Sequence, residues 1–187
     1  MTCSCSAGML IFVHTSALPR MTTFLNKING TERVSPEVLS LHLVTPTRED
    51  TKALSEELRK QPELQHLERV ERLRPNNALR DLTVSWRLDP TFVANHKLVV
   101  NLETVNPDFR KKYPDPNLTL PAGGVEEGEL PYAAAHRELF EETRIRVHPR
   151  YVGPPIGLFR GGIKMYPVVV TSATPMSMHD RILYIGF

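Results

Sequence analysis

Residues 123–145 read G-G-V-E-E-G-E-L-P-Y-A-A-A-H-R-E-L-F-E-E-T-R-I. A glycine-rich turn at Gly123-Gly124 opens the stretch, Glu129 follows, and the run Arg137-Glu138-Leu139-Phe140-Glu141-Glu142 lies further on. Pro131 suits the first turn of a helix, where its missing N–H costs nothing. The spacing therefore predicts a helix from Pro131 to about Thr143 or Arg144. On it, Glu138 and Glu142 stand one turn apart with Glu141 beside them, so three carboxylates project from one side. Such like-charge pairs disfavour an isolated helix by roughly 0.2–0.5 kcal/mol each. A divalent cation held by oxygen ligands would offset that repulsion.

A plain solvated helix face is the alternative, with Arg137 and Glu141 as an ordinary ion pair. The periodicity argues against it. At about 100° per residue the glutamates border the apolar stripe of Ala134, Ala135 and Leu139 instead of opposing it. That places them at the rim of the buried face, where small alanines leave room for a neighbouring loop.

Working outward, Leu98, Val100 and Leu102 alternate as a half-buried strand. Pro107 to Pro116 reads as a loop, and a brief strand at Leu118–Leu120 leads into the glycine turn. Beyond the helix, residues 146–152, 156–159, 165–171 and 182–187 read as strands, with Gly161-Gly162 as a hairpin turn. Toward the N-terminus, Leu82, Val84, Trp86 and Leu88 also alternate. Thr47 followed by Asp50 predicts a helix start, running to about Lys60. Pro62 opens a second helix, with Leu64, Leu67, Val70 and Leu73 three apart, and Pro75-Asn76-Asn77 ends it. Residues 1–34 are expected to be a disordered leader, with Met21 as an alternative start. Residues 35–80 are expected to be an accessory helical segment, and 81–187 the main domain.

The stretch at 123–145 resembles the signature box of the Nudix hydrolases, which cleave a nucleoside diphosphate linked to another group. Gly123, Glu129, Arg137, Glu138, Leu139, Glu141, Glu142 and Ile145 stand at the defined positions, and Ala134 and Ala135 match the small ones. Arg144 departs from it, standing where the box has a glycine that ends the helix in a left-handed conformation. With Arg144 there, the helix is expected to run slightly further.

The resemblance implies an α/β/α sandwich around a mixed sheet, here preceded by an N-terminal helical segment. It also implies Mg²⁺ or Mn²⁺ as cofactor. Glu138, Glu141 and Glu142 would be the metal ligands, helped by a backbone carbonyl of Ala122 or Gly123. Glu138 or Glu142 would activate water, Arg137 would brace Glu138 and the loop, and Glu129 would be structural. The run Leu120-Pro121-Ala122-Gly123 is similar to that of ADP-ribose and nucleotide-sugar members. An mRNA-decapping or other RNA-directed hydrolase is the alternative, and a Nudix-fold interaction module without turnover is the third reading. Asp180 is the one acid after Glu142 that could supply a further base.

The net charge of +2 conceals an asymmetry: six Lys/Arg against one acid after residue 142, and 17 against 20 before it. A basic flank beside an acidic metal site suits phosphate oxygens, with Arg160 and Lys164 as candidates. Tyr113, Tyr132, Tyr151, Phe159 and Tyr166 are candidates to stack on a base, each weighed against an ordinary core role. The expected partner is a small nucleotide, with RNA and a homodimer as alternatives and no membrane partner. No apolar run reaches the ~20 residues of a membrane span. Two cysteines, Cys3 and Cys5, exclude a disulfide framework and favour a reducing compartment. A cytoplasmic protein is expected, with a mitochondrial presequence in the acid-free first 31 residues as the alternative.

Overall fold

The computed structural model describes residues 5–31, 35–84, 88–105, 115–158 and 161–177. The chain begins β1 (Ser6–His14), α1 (Leu18–Asn29), β2 (Val38–Val44), α2 (Arg48–Arg59), β3 (Arg74–Pro75), α3 (Asn77–Val84) and α4 (Pro90–Asn95). It continues β4 (His96–Val105), β5 (Asp115–Thr119), β6 (Ala122–Gly124), α5 (Pro131–Thr143) and β7 (Arg146–Val147), and then β8 (Ile156–Leu158), β9 (Ile163–Val170) and β10 (Met176–Ser177). One mixed sheet runs β3-β5-β4-β1-β9-β8, with β2 also pairing β4 and β6 pairing β1. β7 and β10 form a separate two-stranded ladder.

β1 is the centre of this sheet. It lies antiparallel to β4 and parallel to β9, and every residue from Ala7 to Val13 is buried. A nearly continuous apolar run is what a strand covered on both faces requires. Met9, Ile11 and Val13 join the core cluster that includes Met21 and Phe24 of α1 and Ala134, Ala135 and Leu139 of α5. Leu10 and Phe12 point to the opposite cluster, with Leu58 of α2 and Leu79 and Leu82 of α3. The two helical layers enclose the sheet as the expected α/β/α sandwich.

The disordered leader expected over residues 1–34 is therefore overturned, since Ser6–His14 and Leu18–Asn29 are structured and central. The physical reason is the run Met9–Val13, which reads equally as a tail or as a doubly buried strand when viewed alone. A chain started at Met21 would lack β1 altogether. Residues 35–80 are not a separate accessory piece either. They contribute β2 and β3 to the same sheet, and α2, α3 and α4, all preceding β4, build the second helical layer. Cys5 is held in a disulfide, which the sequence reading does not anticipate.

Three local expectations change for identifiable reasons. The second helix after Pro62 is replaced by 3₁₀ turns at Pro62–Leu64 and Val70–Arg72. The three-residue spacing of Leu64, Leu67, Val70 and Leu73 suits 3₁₀ turns as well as one face of an α-helix. The strand expected from Leu82 is helix α3, because Asn76 acts as its N-cap: the Leu79 N–H donates to Asn76 Oδ1 at 2.9 Å. Residues read as a terminator are thus an initiator; Trp86 lies outside the described residues. The strand expected over 146–152 stops at Val147, and Pro149, which lacks an N–H for the ladder, opens a 3₁₀ turn. By contrast α2 begins after Thr47, whose Oγ1 accepts from Asp50 N–H at 3.2 Å. α5 ends at Thr143, and β4, β5, β8 and β9 lie within a few residues of their expected places. The strand expected over 182–187 lies outside the described residues. Among the described residues no helix is long and apolar enough to cross a membrane.

Candidate active site at the carboxylate helix

α5 seats its alanines on β1 and turns its glutamates toward the β6 loop. Arg137 is the hub of that edge. Its Nε and Nη2 donate to the two oxygens of Glu129, both at 2.9 Å, and Nη2 also donates to the Gly124 carbonyl at 2.9 Å. Nη1 donates to Glu138 Oε1 at 2.9 Å and reaches Glu141 Oε2 at 3.3 Å. The bidentate hydrogen bonds from Arg137 hold the Glu129 carboxyl down at about 2, and the same contact raises the Arg137 pKa. Arg137 thus ties the loop to the helix and fixes one oxygen of Glu138.

Glu142 lies in the opposite situation. It is 7% exposed, and its carboxylate faces a second buried acid, Glu103 of β4, which is 8% exposed. The two side chains hydrogen-bond, and the Ala122 N–H donates to Glu142. Burial, then the hydrogen bond with Glu103 and the charge beside it, push the Glu142 pKa far above the carboxylate range. Glu142 Oε2 is nevertheless buried without a hydrogen-bond partner. Two ionised carboxylates in such contact would repel, the more strongly as the surroundings exclude water. Burial and the hydrogen bond with Glu103 both favour the neutral form of Glu142. Asn101, buried in the same strand, donates to Glu103 Oε1 at 3.2 Å.

Gly123 completes the arrangement. A Cβ at this position would lie 2.2 Å from Glu138 Cδ and 2.4 Å from both its oxygens. The glycine is what lets the helix carboxylate lie against the loop backbone. Burial raises the Glu138 pKa, opposed by the Arg137 contact, with Glu141 and Glu103 adding to the rise. Glu103, Glu138 and Glu142 therefore share one electrostatic environment at the end of the sheet.

Residues 98–169 match the NUDIX domain family model. That match spans β4 from Leu98 onward, the glycine turn, the whole of α5 and most of β9. Over those residues the chain is similar to a Nudix domain. No solved structure matches it. In general terms the domain is that of hydrolases acting on nucleoside diphosphates linked to another group.

Within the matched segment, the structure brings Glu138 and Glu142 together and leaves Glu141 at the rim with its side chain 49% exposed. As the side chains stand, no three His, Cys, Asp or Glu among the described residues are gathered to hold an ion. Glu138 and Glu141 are both engaged by Arg137. Ala122 and Gly123 line a small cavity of about 200 Å³ together with Glu103, Ile163 and Met165. Lys164, between those last two, is exposed and does not line it. Arg160 and Asp180 lie outside the described residues.

Glu103 is the residue that the sequence reading misses. Alternation within K-L-V-V-N-L-E-T-V assigns Asn101 and Glu103 to the solvent side, but α5 covers Glu103. The available signal is two polar residues in succession on one face of a strand in an otherwise apolar segment.

The helix end corrects another expectation. Arg144 does not extend α5; it takes φ 61°, the left-handed cap conformation, and its N–H donates to the Phe140 carbonyl. Its guanidinium carbon lies 5.0 Å from the Phe140 ring centroid, and that of Arg146 lies 3.7 Å from the same ring. Cation–π contact at a helix C-terminus, where positive charge is favoured, offsets part of the strain. Part of the basic flank is therefore occupied with its own protein. Arg150 likewise sits over Tyr151. Tyr132 and Tyr166 pack edge to face at 5.2 Å, a core contact; Tyr113 and Phe159 lie outside the described residues.

Proposed function

We propose that this protein is a divalent-metal-dependent hydrolase that cuts the pyrophosphate linkage of a nucleoside diphosphate derivative. The observation that carries the proposal is the buried Glu103–Glu142 pair with its orphaned Oε2 atom. An unsatisfied buried carboxylate oxygen is costly, and hard oxygen donors suit Mg²⁺ or Mn²⁺. The donor types suit such an ion, and gathering them round one point requires Glu138 to turn from Arg137. Glu142 and Glu103 would hold it, Glu138 would join once so turned, and a carbonyl of Ala122 or Gly123 would lie alongside. Glu141 would serve from the rim. A bound divalent ion supplies charge neutralisation on the phosphoryl oxygens and eases ionisation of water.

The chain's own residues do the rest. Arg137 keeps the loop and Glu138 in place through its contacts to Glu129 and Gly124, and it keeps Glu129 if Glu138 is drawn away. Glu138 or Glu142 takes the proton of the attacking water. The cue for ADP-ribose or nucleotide-sugar substrates, Leu120-Pro121-Ala122-Gly123, has a structural duty as well. Pro121 O accepts from Met9 N–H at 3.1 Å and Ala122 pairs with Gly8. ADP-ribose and a nucleotide sugar are therefore first in a metal-supplemented panel that also holds dinucleoside polyphosphates, nucleoside triphosphates and capped RNA. Mg²⁺- or Mn²⁺-dependent release of a nucleoside monophosphate or diphosphate is expected from at least one, and Glu142→Gln removes it with the fold intact. Unchanged turnover in that variant would sink the assignment. Silence across the whole panel would favour an interaction module.

A further inference from the structure

A second cleft, of about 680 Å³, opens beside the carboxylate site. Its lining includes Arg59, Arg72, Arg74 and Arg80, together with Asn76 and Asn117. All four arginines come from α2, the 3₁₀ turn before β3, β3 itself and α3, which is chain outside the matched Nudix segment. The acids on this lining are Glu71 and Asp115, and Asp115 is already paired with Arg69 at 3.1 Å. The cleft is therefore strongly positive.

Two of its guanidinium groups are held in place. Arg59 Nε donates to the Leu73 carbonyl at 2.6 Å, and Arg80 donates to Asn77 Oδ1. Fixing them in advance lowers the ordering cost of gripping an anion. Arg72 and Arg74 are exposed, and among the described residues neither makes a salt bridge. Guanidinium forks match phosphate oxygens in geometry as well as charge.

The cleft adjoins the carboxylate site. Asn76 and Asn117 line both it and the smaller cavity that holds Glu103, Ala122 and Gly123. We infer that this arginine cleft binds the phosphates of the substrate that lie beyond the scissile pyrophosphate, so that the substrate is an oligophosphate or a nucleotide chain. The inference rests on the hydrolase reading for its direction, but the binding it asserts can be measured without turnover.

The test is binding in EDTA to two probes, inorganic tripolyphosphate and a fluorescent 12-nucleotide RNA. Wild type is compared with Arg72→Ala/Arg74→Ala and with a charge-matched control, Lys27→Ala/Lys52→Ala, at exposed sites elsewhere. The arginine pair is expected to weaken binding of at least one probe about tenfold or more, with the control within about twofold. For RNA, losing two phosphate contacts lowers the slope of log affinity against log salt by about 1.4. RNA binding that depends on the arginines, without tripolyphosphate binding, assigns the cleft to a nucleotide chain; the converse assigns it to a small oligophosphate. Equal loss in both variants, or no loss in either, or no binding of either probe, overturns the inference. Arginine-dependent binding alongside a silent hydrolysis panel would refute the hydrolase reading and leave the cleft standing.

Discussion

Replacing Gly123 by alanine separates the site's function from its stability. The new Cβ would lie 2.2 Å from Glu138 Cδ and 2.4 Å from each oxygen. Carbon–carbon contacts are optimal at about 3.5–4.0 Å, so the carboxylate must retreat by more than 1 Å. The obstructed group is the end of a flexible side chain, so the fold need not move. The stability loss is confined to part of the Arg137–Glu138 contact, about 1 kcal/mol or less for a partly exposed pair. Misplacement of a reacting group by about 1 Å can cost on the order of a hundredfold in rate. Gly123→Ala is thus expected to lower kcat on the responsive substrate by about that factor. It should also weaken Mn²⁺ binding, followed by paramagnetic resonance, and shift Tm by only a few degrees. In a Glu138→Ala background the same change should do little more, since the two act through one contact. Full activity in the single variant would refute the close approach. So would additive losses in the double variant.

Three other outcomes follow from the geometry. At position 144, both Gly and Ala lose the stack on Phe140, but only Gly relieves the left-handed backbone. Arg144→Gly should therefore be more stable than Arg144→Ala by about 1 kcal/mol in urea unfolding. Burial lowers the His42 pKa to about 4 from 6.5, so between those values the unfolded chain takes up a proton that the native protein refuses. Stability should fall as pH drops from 6.5 to 4, by about 1–3 kcal/mol given the ring's partial exposure, and no further on this account below 4. A His42 variant with a neutral side chain of similar size should flatten that segment of the profile; an unchanged profile would exclude the mechanism. Deleting residues 1–20 removes the strand that pairs with β4, β6 and β9, and the product should show no cooperative thermal transition.

The carboxylate helix and its glycine turn are local features, and the sequence by itself determined them; the left-handed cap at Arg144 it did not. Spacing along one helix places Glu138, Glu141 and Glu142 without knowledge of any distant residue, and the strands at 96–105 and 163–170 announce themselves by composition. What the sequence could not decide is what lies across from a given face. The run Met9–Val13 carries no mark of being the central strand, because burial on both faces is conferred by the helices packed over it. Leu64 to Leu73 repeat every three residues, which both helix types tolerate until packing selects one. Glu103 looks solvent-facing until α5 covers it, and only then do two acids from separate elements face each other and leave an oxygen unsatisfied. The arginine cleft arises in the same way, from segments spread over residues 59–80 that the sheet draws beside the glycine turn. Local chemistry is written along the chain; the charges that face each other across the fold, and the cost of burying them, exist only once it has closed.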